Sequence, residues 1–168
     1  MVRIAAYQAT PGPTFEVRKK QIHAILLKAD KENVDFLCFP EGFLTGYYAE
    51  EKFARKNCIE TDSVIFRKWL ADISHYHVTT IIGFNEQDGE HLFNSVAIVE
   101  NGKLLGIQRK HYLYHNYFTA GKSFPVLWSK GLPFGVIICL DTIYFEPARL
   151  LALKEPLFFL VQCAIEYM

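Results

Sequence analysis

Apolar residues recur along this chain with two different periods, and their alternation predicts strands interleaved with helices. Segment 2–8 reads as a buried strand, and Ile22, Ile25, Leu26 and Ala29 fall at helical spacing within 15–32. Val34 to Phe39 is a second strand, ended by Pro40-Glu41-Gly42. Thr61-Asp62 marks a helix start, and Phe66, Trp69, Leu70 and Ile73 repeat the helical spacing after it. Val78 to Phe84 is a third strand. A hairpin follows, Leu92–Val99 and Lys103–Gln108, turned by Asn101-Gly102, a pair suited to two successive positive φ angles.

A tyrosine-rich loop over 110–123 leads to a short strand near Val126–Trp128, then to a strand over Gly135–Cys139. A helix over 145–154 tolerates Pro147 in its first turn, and Leu157–Cys163 is the last strand. No linker or internal repeat is visible, so the pattern predicts one α/β domain with helices covering sheets.

Composition agrees with that picture and narrows the partners. The chain has 168 residues, 51% of them hydrophobic, enough for one domain with a sizeable core. Eighteen basic residues balance eighteen acidic ones, so no global field draws the chain toward nucleic acid or an anionic membrane. The longest apolar runs, such as Leu157 to Val161, are too short to span a bilayer. Four scattered cysteines without a C-x-x-C pair, and a start that lacks a signal peptide's pattern, fit a reducing compartment. The expectation is a cytoplasmic protein.

Three residues with chemical potential stand at or just past predicted strand ends: Glu41, Lys110 and Cys139. Sites in open α/β sheets gather at such edges. Taken singly, each has a bland reading: a turn carboxylate, a solvated lysine, a packing cysteine. Cys139 also ends a strand ahead of a helix, where unpaired N–H groups and a helix dipole would favour thiolate.

Their surroundings carry more weight. The stretch Phe39-Pro40-Glu41-Gly42-Phe43-Leu44-Thr45-Gly46-Tyr47, then Gln108-Arg109-Lys110-His111-Tyr112-Leu113, then Gly135-Val136-Ile137-Ile138-Cys139-Leu140-Asp141, resembles the nitrilase or carbon–nitrogen hydrolase family. Phe145-Glu146-Pro147-Ala148-Arg149-Leu150-Leu151-Ala152-Leu153 and the opening Arg3-Ile4-Ala5-Ala6-Tyr7-Gln8 resemble it too, so the likeness covers nearly the whole chain.

That resemblance implies an α-β-β-α sandwich, incomplete at the C-terminus, as one partial domain over 1–168. It implies that Cys139 attacks an amide, carbamoyl or nitrile carbon of a small molecule, with Glu41 as general base. Lys110 would stabilise the oxyanion, helped by the backbone N–H of Leu140. The route needs no metal or organic cofactor, and the family's habit implies a homo-oligomer. Many members carry a second glutamate after the lysine; here Tyr114 or His115 falls near that place, and His115 or Asn116 is the substitute.

The resemblance also implies that the last strands and helices of the sandwich are missing. Their loss would bare apolar surface and unpaired strand edges. The competing reading is therefore a truncated, inactive homologue or a subunit that survives only in association. A metal-binding module is a third class, from His75-x-His77 and His111-x-x-x-His115. The tyrosines beside Lys110, like Tyr47 and Tyr48, fit a pocket wall better than a base-stacking surface, since no basic surface accompanies them.

Overall fold

The computed structural model describes residues 1–164. One sheet is built from β1 (Ile4–Ala6), β2 (Phe36–Cys38), β3 (Thr79–Asp88), β4 (His91–Glu100) and β5 (Lys103–Arg109), side by side in that order. The pairs β1–β2 and β2–β3 are parallel. Parallel pairing needs long crossovers. They are supplied by α1 (Phe15–Lys31) and by α2 (Glu51–Lys56) with α3 (Val64–Asp72). From β3 onward the sheet is an antiparallel meander. Asn101 and Gly102 turn its second hairpin at φ +49° and +71°, as their types predict.

A second sheet holds β6 (Leu127–Ser129), β7 (Leu132–Ile138) and β8 (Phe158–Gln162), with β7 and β8 parallel through α4 (Phe145–Ala152). Strand alternation then assembles the layers. Leu37, Ile82, Phe84, Ala97 and Val99 face Ile22, Leu26, Phe66 and Trp69 of α1 and α3. Their neighbours Phe36, Cys38, Ile81, Val96 and Ile98 face Phe134, Val136, Ile138 and Leu160 of the second sheet. On that sheet's far side Ile137 meets Leu151 of α4. The order is α-β-β-α. The middle strands are apolar on both faces because both faces are covered.

Several boundaries differ from the sequence reading. The strand expected over 2–8 is short and mostly exposed, because β1 is an edge of its sheet. The strand expected to stop at Phe84 runs on to Asp88. Its polar end is stable because Glu86 is buried against Arg109 and Ser95. α2 has no apolar stripe to reveal it and buries only Ala54. Helix α3 is capped by Ser63, whose Oγ accepts from the Phe66 N–H at 3.2 Å, rather than by Thr61-Asp62. Among the described residues no helix is long and apolar enough to cross a membrane.

Candidate active site at the strand ends

Glu41 sits in the turn that leaves β2, and this turn is pinned to β3. Phe39 N–H donates to the Ile81 carbonyl at 2.8 Å, and Leu44 N–H donates to that of Gly83 at 2.9 Å. Asn85 N–H donates to Thr45 Oγ1 at 2.8 Å. The approach is so close that a Cβ on Gly83 would lie 2.3 Å from the Gly42 nitrogen. Only glycine allows it. The loop therefore delivers the Glu41 carboxylate rigidly.

Lys110 follows β5 directly. Its N–H donates to the Asn94 carbonyl at 2.8 Å, and its own carbonyl accepts from Gly121 N–H at 2.8 Å, closing the 111–120 loop at its base. The side chain is 1% exposed and its Nζ donates to Glu41 Oε1 at 2.7 Å. Asn94 Nδ2 donates to the same oxygen at 2.6 Å, and Ala164 N–H donates to Glu41 Oε2 at 3.0 Å. A carboxylate this deeply buried needs such partners.

Cys139 follows β7 at a sharp turn, with φ +44°, a left-handed conformation that non-glycine residues seldom hold. Its thiol lies within electrostatic reach of both Glu41, which raises it, and Lys110, which lowers it. The structure thus brings Glu41, Lys110 and Cys139 together at one rim. Leu140 continues the same 3-10 turn, Cys139–Thr142, where an early N–H has no acceptor within the turn. Asp141 locks this turn to the other loop, accepting from Tyr112 N–H at 2.7 Å and His111 N–H at 3.2 Å. Burial pushes the Asp141 carboxyl up, and those N–H bonds oppose the rise.

The expected thiolate is not found. Burial, and then the negative charge of Glu41, push the Cys139 thiol up to about 12, and Lys110 only partly opposes them. The helix that was to lend its dipole begins only at Phe145, beyond the 3-10 turn. A thiol raised in this way needs a neighbouring base to take its proton before it can act as a nucleophile.

Two residues of this site escaped the sequence reading. Asn94 holds Glu41 and Asp141 holds the cysteine turn. The signal for Asn94 was a polar Asn94-Ser95 step inside an apolar strand. Among the described residues the buried Asn94 Oδ1 has no hydrogen-bond partner.

A groove of about 1040 Å³ opens at the site, walled by Gln8, Pro11, Tyr47, Tyr48, Gln162 and Cys163. Of the three strand-end residues, only Glu41 lines it. Tyr47 reaches toward His115, ring centroids 5.7 Å apart, and His115 stacks on Tyr117 at 5.2 Å. The His115 Nε2 is buried without a hydrogen-bond partner among the described residues. His75 and His77 lie in the turn between α3 and β3, where His75 packs on Tyr76. Among the described residues no group of three or more His, Cys, Asp or Glu side chains is placed to hold a metal ion.

Fold and rim together define an α-β-β-α scaffold with a cysteine, a lysine and a glutamate at its strand ends, and comparison with known proteins places it. The carbon-nitrogen hydrolase family profile matches residues 3–162. The chain is 31% identical over 162 residues to a glutamine-dependent NAD(+) synthetase of Thermotoga maritima, covering 92% of this chain and 28% of that protein. It is 32% identical over 165 residues to a nitrilase of Pyrococcus abyssi, covering 92% of this chain and 62% of that one. Among solved structures, an amidase from Nesterenkonia sp. superposes with TM-score 0.85 at 22% identity, covering 99% of this chain and 66% of the amidase. This chain belongs to the carbon-nitrogen hydrolase family, the nitrilase superfamily. It spans less than two thirds of the length of these curated relatives.

Proposed function

We propose that this protein hydrolyses a non-peptide carbon–nitrogen bond of a small molecule, an amide, carbamoyl or nitrile group, through Cys139. One observation carries the reading: a buried Glu41 carboxylate accepts from the Lys110 ammonium at 2.7 Å, and both charges act on the Cys139 thiol. Glu41 takes the thiol proton as sulfur attacks the carbon. The developing oxyanion is met by Lys110 and the N–H of Leu140. Glu41 then passes the proton to the departing nitrogen, and water activated by the same carboxylate hydrolyses the thioester. Every step is served by side chains and backbone, so the route calls for no metal or organic cofactor.

Magnitudes support this division of labour. A positioned base contributes roughly 10²–10⁴-fold. An oxyanion donor in a dry site contributes about 2.7–4 kcal/mol. Since the thiol is pushed up to about 12, a neighbouring base that takes its proton is what makes attack possible at neutral pH. The relatives named as amidase, nitrilase and glutamine-dependent synthetase support an amide-type or nitrile substrate. His115, beside Tyr47 of the groove and with a free ring nitrogen, is the candidate for positioning that substrate where other members use a second glutamate.

Ammonia release from a panel of small amides, carbamoyl compounds and nitriles tests the reading. Turnover should vanish in Cys139→Ala and fall steeply in Glu41→Gln. Turnover that survives Cys139→Ala overturns it. So does a silent panel in which iodoacetamide also leaves Cys139 unlabelled.

A second reading, a subunit that works only in association with copies of itself, has separate support. Ile143, Phe145, Leu153 and Leu157 are exposed around α4. Light scattering across the active chromatographic fraction should show an oligomer; activity in a lone monomer removes this reading. The four cysteines are free, which supports a reducing, cytoplasmic setting.

A further inference from the structure

Cys139 has a neighbouring thiol that hydrolysis does not use. Ile138 and Gln162 are the last paired residues of the parallel strands β7 and β8, and Cys139 and Cys163 each follow one of them, Cys139 opening the 3-10 turn and Cys163 lying just past β8. At that last pair the strands lie about 4.8 Å apart, so the two cysteines leave neighbouring positions, and a disulfide bridges Cα atoms about 4.4–6.8 Å apart. Beyond β8 the backbone is held against Glu41, whose N–H donates to the Cys163 carbonyl at 3.3 Å and whose Oε2 accepts from Ala164 N–H at 3.0 Å. Thus one carboxylate is flanked by both cysteines. Cys163 is also among the groups whose charge raises the Cys139 thiol, as expected of nearby sulfurs.

The two thiols differ in access. Cys163 is exposed and lines the groove, whereas Cys139 is half-buried. Cys38 also borders the groove within electrostatic reach of Cys163, but it is buried where Cys139 is half-buried. Cys38 is buried in β2, with its Sγ directed at the Phe39 carbonyl. Cys58 donates to the Arg55 carbonyl at 2.9 Å at the end of α2.

We propose that Cys139 and Cys163 form a redox-active pair, in which a hydroperoxide oxidises exposed Cys163 and Cys139 then closes a disulfide. The Cys163 sulfur attacks the outer peroxide oxygen; an S–O bond forms, the O–O bond breaks, and the alcohol leaves. Sulfur loses two electrons and the peroxide gains them. Glu41 takes the Cys139 proton, and its sulfur attacks the Cys163 sulfenic sulfur. The S–S bond forms, the S–O bond breaks, and the hydroxide leaves as water with that proton. In sum, two thiols and one hydroperoxide give a disulfide, an alcohol and water. The consequence, reversible loss of the nucleophile, rests on the hydrolytic reading above; the disulfide itself does not.

Hydrogen peroxide and the full chain suffice for the test. Trypsin cleavage after Lys130, Arg149 and Lys154 places Cys139 and Cys163 on separate peptides, so a cross-link is directly visible by non-reducing mass spectrometry. The expected result is a 139–163 cross-linked peptide, with iodoacetamide labelling of Cys139 lost and then restored by dithiothreitol. In Cys163→Ser the cross-link should be absent, and excess peroxide should drive Cys139 to species that dithiothreitol does not recover. Cys58→Ser should behave as the unsubstituted chain does. A peroxide-treated protein without the 139–163 link, or with Cys139 joined to Cys38, overturns the proposal whatever the variants do. A cross-link in a chain whose reduced form turns over no substrate would instead leave the pair standing and remove the hydrolytic reading.

Discussion

Two adjacent cations at the end of β5, Arg109 and Lys110, each pair with a buried carboxylate, yet the two pairs have different capacities. Arg109 presents its fork to Glu86 at 2.6 and 2.8 Å and reaches Asp88 at 2.8 Å. It also lies over the Phe93 ring at 3.8 Å. Glu86 takes a further bond from Ser95 Oγ at 2.6 Å. The hydrogen bonds to Glu86 hold the guanidinium charged. This pair is spent on structure, and its planar geometry leaves little to offer a ligand.

Lys110 makes a single contact with Glu41 among the described residues, and an ammonium carries three donors. Glu41 accepts three hydrogen bonds, as Glu86 does. The pairs differ in place: the Arg109 side chain is 32% exposed, whereas the Lys110 side chain is 1% exposed and its charge acts on a thiol. The lesson is that burial and charge alone do not mark a site. Unspent donors shielded from water beside a thiol do.

The largest separation between the pairs should appear in turnover. Cys139→Ala is expected to lower kcat by at least about 10⁴-fold, measured as ammonia release, with the fold intact by circular dichroism. Next comes the contrast of the cations. Lys110→Met leaves Glu41 buried without its counter-charge and should cost about 3–5 kcal/mol in denaturant melts, with turnover lost. Arg109→Met should cost about 1–3 kcal/mol, because Ser95 remains, while turnover changes little. Equal losses of turnover in the two variants would erase the distinction.

Asn94→Ala removes a charged hydrogen bond worth about 1.5–3 kcal/mol, so kcat should fall roughly 10- to 150-fold with KM nearly unchanged. A KM effect of that size would instead assign Asn94 to substrate binding.

Glu41→Gln should have an effect of opposite sign on the thiol. The charge of Glu41 raises Cys139, so the variant's thiol should titrate below about 12 by ultraviolet thiolate absorbance even as turnover is lost. The linked stability effect also has a definite sign. A thiol raised from 9.0 to about 12 keeps its proton in the folded state where the unfolded chain has lost it, so stability falls as pH rises through that window. Below pH 9 the thiol contributes no slope, and Glu41→Gln should shallow the alkaline decline. The smallest effect concerns backbone strain. Cys139→Gly should be more stable than Cys139→Ala by up to about 1 kcal/mol, since glycine accepts the positive φ.

Much of the fold could be read from residue periodicity. Ile22, Leu26 and Ala29 on α1, and Phe66 and Trp69 on α3, are buried as their spacing predicts. The readings that failed share one cause. The extension of β3 through Glu86, the short α2 and the exposure of β1 all depend on what lies opposite, which local pattern does not encode. The site divides in the same way. Glu41, Lys110 and Cys139 stood out because each follows a strand. Asn94 and Asp141 did not, because their importance lies in partners far along the chain.

Local propensity and a two-fold or helical period thus predicted most elements, and short motifs carried the family likeness and singled out three candidate side chains, since these depend on near neighbours. Only the packed chain decided that burial and Glu41 raise the cysteine thiol, that Lys110 and not Arg109 keeps its free donors buried, and that Cys163 arrives near Cys139. Charge state and reactivity are set by burial and by distances of a few ångströms, and those exist only once remote segments meet.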